Sequence, residues 1–234
     1  MDIHTIIIIG FYLVILLYSI ILHEIAHGIV ALRLGDRTAQ LAGRLTLNPR
    51  SHIDPVGSLL VPAGMLLLSG FRFAFGWARP VPINLNNLRD SQWGPVLVAL
   101  GGPVTNFAIA LIAALVAKIL PVATVTKGVI IATVFRSDWS ILAHAISGSL
   151  ATIFFFFCIV AIFWNVLLGI FNLLPIPPLD GSKILYAIVP LSYETQVMLE
   201  RYGFFIIIAV VFLFPQPLNF LLQFGWETFF AIAQ

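Results

Sequence analysis

Three ionisable side chains, His23, Glu24 and His27, interrupt an apolar run that begins at residue 5 and resumes at Ile29. H-E-x-x-H on a helix places two imidazoles at i and i+4, on one face and about one turn apart. That spacing lets both bind one Zn²⁺, and the glutamate beside the first histidine can then act on water activated at the metal. The alternative is a polar patch facing a neighbouring helix. A charged side chain at membrane depth costs roughly 2.5–3.5 kcal/mol on insertion scales. Three clustered ionisable groups therefore demand compensation, and a metal supplies it.

The surroundings are those of a membrane protein. Of the 234 residues 60% are hydrophobic and only 9% charged, against about 25% charged in soluble domains. The formal net charge of +2 is too small to point to nucleic acid. The single cysteine, Cys158 in "IFFFFCIV", cannot form an intramolecular disulfide and reads as a small packed hydrophobe. The N-terminus lacks a basic region before its apolar run and shows no small-residue cleavage pattern, so residues 5–32 read as a retained span. The whole chain, 1–234, reads as one membrane domain.

Crossing the hydrocarbon core takes about 20 helical residues. Regions 5–32, 94–117, 147–171 and 203–232 meet that length, the last interrupted at "FPQPLN" as one bent span or a short hairpin. Residues 57–71 are apolar but short and contain Pro62, which suits a re-entrant or partly inserted segment. The expected fold class is thus an all-α polytopic bundle of about 4–6 transmembrane segments. Arg33, Arg37, Arg44, Arg50, Arg72, Arg79 and Arg89 all follow the first helix and precede the second long one. If 57–71 does not cross, the positive-inside rule makes their side cytosolic, the N-terminus external and the metal nearer the cytosol. Lys118, Lys127 and Arg136 then fall outside, a mild conflict.

A catalytic zinc normally takes three protein ligands. Asp2, Asp138 and Glu227 lie near expected helix ends, and Asp36, Asp54, Asp90, Glu194 and Glu200 in connecting segments. Asp180 differs, because it sits in "FNLLPIPPLDGSKIL", where Pro175, Pro177 and Pro178 forbid regular helix. Broken backbone at membrane depth is tolerated where it is buried in protein or lines a wet cavity. An aspartate there can reach a metal held by another helix, or can simply belong to an interfacial turn.

Together the two segments resemble the site-2 proteases, intramembrane zinc metalloproteases. That family pairs H-E-x-x-H with N-x-x-P-x-x-P-x-D-G, here Asn172, Pro175, Pro178, Asp180 and Gly181. "GGPVTNFAIA" is similar to the family's G-P-x-x-N element, and "GWARPVPIN" to a membrane-associated loop. The resemblance spans residues 19 to about 186, with no PDZ-like insert and no regulatory domain, as in the compact, core-only branch. It implies one zinc per chain held by His23, His27 and Asp180, with Glu24 as general base. It also points to Asn106 as a donor to the developing oxyanion; the plain alternative is an interhelical hydrogen bond beside Gly101 and Gly102. Asn172 shapes the break.

The implied activity is zinc-dependent hydrolysis of peptide bonds within transmembrane segments of other proteins, in the lipid bilayer of a prokaryotic plasma membrane. A non-hydrolytic metal transporter or sensor would use the same ligands but needs no base beside them. In "ARPVPIN", Pro80 and Pro82 would blank one side of an extended strand while Arg79, Val81 and Ile83 present donors on the other. Residues 78–84 then read either as a small β-like edge that pairs with unwound substrate or as a proline-rich loop at the interface. His52 and Asp54 read as turn and capping residues rather than a second metal site, and His144 as a packed or interfacial histidine.

Overall fold

The computed structural model describes residues 3–68, 76–136 and 138–234. Asp2, Arg72 and the last residues of the 57–71 segment lie outside them. Four helices are long and apolar enough to cross a membrane: Thr5–Arg33, Gly94–Ile119, Leu150–Asn172 and Tyr193–Leu213. The polytopic all-α expectation holds. No β-strand occurs among the described residues, so the β-like edge at 78–84 is not part of a sheet. In chain order the helices are α1 (Ile3–Arg33), α2 (Thr38–Leu41), α3 (Val61–Leu68), α4 (Gly94–Ile119) and α5 (Thr124–Arg136). They continue as α6 (Trp139–Ile146), α7 (Leu150–Asn172), α8 (Gly181–Ile188), α9 (Tyr193–Leu213) and α10 (Pro215–Ala233).

The chain divides into two compact units, residues 20–102 and residues 1–19 with 103–234. In the first unit the C-terminal half of α1 leads into a set of loops tied to it by polar contacts. The apolar helix Pro55–Leu67 begins as one wide π turn and continues into α3. At 1.5 Å per residue the described stretch covers about 20 Å, against a bilayer core of about 30 Å. Asp54 starts it by accepting the N–H groups of Val56 and Gly57, both at 2.8 Å. His52 is buried and its Nε2 donates to the Thr46 carbonyl at 2.8 Å. Both act as the turn and capping residues their spacing suggests.

Asp36 pins the loop before α4 to the end of α1. Its carboxylate accepts from the Thr38 N–H and hydroxyl, the Asn84 N–H at 2.8 Å and the Asn87 side chain at 2.9 Å. Burial alone would raise its pKa. The hydrogen bonds from the Thr38 hydroxyl, the Asn87 amide and the Asn84 and Thr38 N–H groups outweigh it and hold the pKa at about 2.

In the second unit α7 is central. Phe155, Phe156, Ile159, Ile162 and Val166 share one core with Ala110, Ala113, Ala114 and Ala117 of α4. The alanines recur at i, i+3, i+4 and i+7, a small-residue stripe that allows close helix approach. The start of α7 at Leu150 is set by a reciprocal cap between Ser149 and Thr152. Against α7 lies α10, where Trp226 stacks on Phe163 at 4.9 Å and donates its Nε1–H to the Phe163 carbonyl at 3.1 Å.

Three sequence expectations need correction here. The last long span is not 203–232 but Tyr193–Leu213, capped by Ser192. It stops at Phe214 because Pro215 disfavours helical geometry in the residue before it, and Pro215 opens a separate helix. Glu194 and Glu200 are therefore helical residues of α9, not loop residues, and Glu200 pairs with Lys183 of α8. Third, α5 and α6 fill the stretch between the second and third long spans, and Lys127, expected outside the membrane, is a buried residue of α5. It is 4% exposed. Its Nζ donates to the carbonyls of Ala117 and Lys118 at the end of α4, and of Ala233 and Gln234 at the end of α10, at 3.2–3.3 Å. One ammonium thereby satisfies terminal carbonyls of two helices and meets their negative dipole ends. The Phe155 ring lies 5.4 Å from it.

Two predictions follow from these polar anchors. Lys127→Met leaves buried carbonyls without a donor, at about 1–3 kcal/mol; thermal unfolding in detergent is expected several degrees lower, with zinc content unchanged. For Asp36 the folded pKa lies below the unfolded value of about 3.9, so its contribution is full above that value and is lost as pH falls through about 2. Asp36→Asn should lower stability at pH 7 and flatten the decline between about pH 4 and 2, read from unfolding midpoints across pH.

Candidate metal centre

The site grows out of one stretch of α1. His23, Glu24 and His27 each place a ligand atom within 4.8 Å of the others. Both histidines are 6% exposed, so neither ring relies on bulk water. Their rings stand nearly perpendicular with centroids 4.6 Å apart, and the two Nε2 atoms face each other at 3.0 Å.

The orientation of His27 comes from α4. Its Nδ1 lies 2.7 Å from the carbonyl oxygen of Val98. A carbonyl only accepts, so Nδ1 carries the proton and Nε2 of the neutral ring presents its lone pair. This is the second contact that metal-binding histidines ordinarily make. Val98 lies in a helix that contains Pro103. Pro103 has no N–H for the Ala99 carbonyl, the one that follows Val98.

Gly102 lets the helices come this close. A Cβ there would stand 2.4 Å from His23 Cε1, 2.5 Å from His23 Nε2 and 2.6 Å from His27 Nε2. Only hydrogen fits. The glycine noted from sequence as a close-packing residue thus lies directly against the imidazoles.

Glu24 is held from a third direction. Its Oε2 accepts the Val81 N–H at 2.9 Å. The Arg79 N–H goes to the His52 carbonyl at 2.8 Å, while the Arg79 carbonyl accepts Nη2 of buried Arg44 at 2.7 Å. The N–H groups of Arg79 and Val81 are engaged by His52 and Glu24, so two of the three donors expected to face substrate are used within the chain.

Asp180 and Asn106 belong to the other compact unit. Asp180 occupies the N-cap position of α8, half-buried, with its Oδ2 shielded from water. A Cβ at Gly181 would meet the Leu173 and Leu174 carbonyl oxygens at 2.3 and 2.4 Å, so the turn presenting Asp180 closes only over glycine. Asn172 donates to the Leu168 carbonyl at 3.0 Å and closes the end of α7, the shaping role its position suggested. Asn106 is fully buried and donates from Nδ2 to Asn165 Oδ1 at 2.8 Å.

The donor set fits zinc. Two imidazoles bound tetrahedrally at about 2.0–2.1 Å stand about 3.4 Å apart at their nitrogens, close to the 3.0 Å between these Nε2 atoms. A fixed tautomer, a carboxylate within reach and apolar surroundings complete a site for a divalent cation. Among the described residues no other such cluster of histidine, cysteine and acidic residues occurs.

A polytopic helical chain carrying this site is of the intramembrane zinc metalloprotease class. The family model described as "Peptidase family M50" matches residues 11–211. "Putative zinc metalloprotease YwhC" of Bacillus subtilis is 37% identical over 206 residues, covering 87% of this chain and 81% of that protein. "Putative zinc metalloprotease Rip2" of Mycolicibacterium smegmatis is 31% identical over 207 residues, 87% of this chain and 66% of that protein. The protein of the same name from Mycobacterium tuberculosis is 28% identical over 221 residues, 93% of this chain and 69% of that protein. No solved structure matches the chain. The chain belongs to peptidase family M50. It is a zinc-dependent intramembrane protease and a multi-pass membrane protein, and the family implies membrane proteins as its substrates.

Residue types and spacing did not point to Val98, Asn165 or Ser19. A backbone carbonyl leaves no trace in residue types, so Val98 had no signal to find. Asn165, in "IFWNVLLGIF", could have been found by the same reasoning that picked out His23, since a polar side chain in an apolar helix is costly.

Gly102→Ala places a methyl group against both imidazoles. Zinc content, measured by elemental analysis of the purified protein, is expected to fall at least tenfold, an effect Gly128→Ala in open space should not share.

Proposed function

We propose that the chain, residues 1–234 acting as one protease domain, hydrolyses peptide bonds within transmembrane segments of membrane-protein substrates. His23, His27 and Asp180 hold the zinc, Glu24 is the general base and Asn106 a donor to the reacting carbonyl oxygen. The observation that carries this reading is the His23–Glu24–His27 cluster, with its histidine tautomer set by Val98 and its carboxylate anchored on Val81. A storage or transport site has no use for an anchored carboxylate beside its ligands, so the transporter or sensor reading is not favoured.

When bound, zinc lowers the pKa of a water to about 7 and polarises the scissile carbonyl. The chain's own residues do the rest. Glu24, its Oε2 fixed by the Val81 N–H, takes the proton of the attacking water and passes it to the leaving amide nitrogen as the C–N bond breaks. Asn106 lies four residues beyond Gly102 on α4, one helical turn along the same face. Its carboxamide donates to the oxygen as charge develops there. The buried, water-poor setting strengthens each of these contacts.

The site lies nearer the cytosolic side of a bacterial plasma membrane. Arg33, Arg37, Arg44, Arg50, Arg79 and Arg89 fall between α1 and α4, with the described stretch Pro55–Leu67 shorter than a full crossing between them. Of the three charges that sit awkwardly with this topology, Lys127 is buried against helix ends, while Lys118 and Arg136 are exposed.

The decisive experiment compares wild type with Glu24→Gln on a single-span substrate in detergent. Wild type is expected to cleave it; Glu24→Gln should retain zinc and lose at least about 10²-fold in rate. Asp180→Asn and His23→Ala should lower zinc content as well as rate. Stoichiometric zinc in a wild type that cleaves no membrane segment would return the transporter or sensor reading.

A further inference from the structure

A chain of buried polar groups runs through the unit that holds Asn106. Ser19 of α1 is 4% exposed, and its hydroxyl donates to the Ile15 carbonyl at 2.8 Å. Asn165 of α7 is fully buried and donates from Nδ2 twice, to Ser19 Oγ at 2.8 Å and to the Ala161 carbonyl at 2.8 Å. Its Oδ1 accepts from Asn106 Nδ2 at 2.8 Å.

The polarity of this chain runs one way only. The Ser19 hydroxyl has a single proton and gives it to Ile15, so towards Asn165 it can only accept. The Ala161 carbonyl can only accept as well. Both contacts therefore require the NH₂ of Asn165, which turns its Oδ1 to Asn106. Asn106 must in turn offer its NH₂, with its own carbonyl oxygen directed away from Asn165. An amide whose orientation is ordinarily ambiguous is here determined by three successive hydrogen bonds. Reversing it would set two oxygens against each other in a buried site, where unmet polar groups are costly.

We propose that Asn165 is a positioning residue for Asn106, and that Ser19 holds Asn165 in turn, so that one orientation of the Asn106 carboxamide is kept for the reaction. The inference rests on the reading of Asn106 as a donor to the reacting oxygen. It gives α7 a part in catalysis beyond core packing, without direct contact between Asn165 and substrate.

The test is a double-mutant cycle on the zinc-loaded full chain, with kcat and KM measured on a single-span substrate in detergent. Asn165→Leu is expected to lower kcat roughly tenfold with KM and zinc content unchanged. Asn106→Ala is expected to lose at least as much, and the double variant no more than Asn106→Ala alone, because Asn165 acts only through Asn106. Ser19→Ala should show a smaller loss in kcat that also vanishes in the Asn106→Ala background; it carries the test if Asn165→Leu does not fold. Losses that multiply in the double variants, or that fall on KM or zinc content, would overturn the positioning role while leaving Asn106 in place. Wild-type cleavage by Asn106→Ala would remove Asn106 from the reaction, and the positioning role with it.

Discussion

The hydrogen bond from His27 Nδ1 to the Val98 carbonyl is the contact on which the metal centre depends. It fixes the tautomer, so the nitrogen facing His23 carries a lone pair rather than a proton. It also requires α4 to come within hydrogen-bond reach of α1, and that approach is possible only because Gly102 has no side chain. Gly102 thus serves two needs at once: close approach and room for two imidazoles.

The same economy governs the rest of the molecule. Only 9% of residues are charged, and several of the buried polar groups are used on another part of the chain. Lys127 is spent on four helix-terminal carbonyls, Arg44 on the Arg79 carbonyl, and Asp36 on a loop that returns to the end of α1. The Pro80–Pro82 segment does the same. Its two prolines have no N–H, and the N–H groups of Arg79 and Val81 go to His52 and Glu24. Residue types alone could not tell whether the partner of the Val81 N–H was a substrate or the enzyme's own carboxylate.

Errors in reading the last third of the chain share a cause. Hydropathy located the apolar window after residue 203, yet the polar turn "YETQVMLERYG" is helical too, because Ser192 caps it and nothing breaks it before Phe214. Composition marks where a helix is greasy, whereas caps and prolines mark where it starts and ends. The α5 and α6 helices were missed for a related reason, being too short for a span and too apolar for a loop.

Residue types and spacing by themselves determined the membrane class, the H-E-x-x-H helix, the proline-broken segment bearing Asp180 and the family they mark. These features are local: periodicity, spacing and proline chemistry act within a few turns of one helix. Only the tertiary structure decided which carbonyl orients His27, which N–H holds Glu24, which amide turns Asn106 and which helix ends absorb Lys127. Those partners lie 71, 57, 59 and 106 residues apart in sequence, and three of the four are bare backbone groups. Backbone carbonyls and N–H groups are identical at every position except proline, so their selection by a distant side chain appears only when the helices are packed.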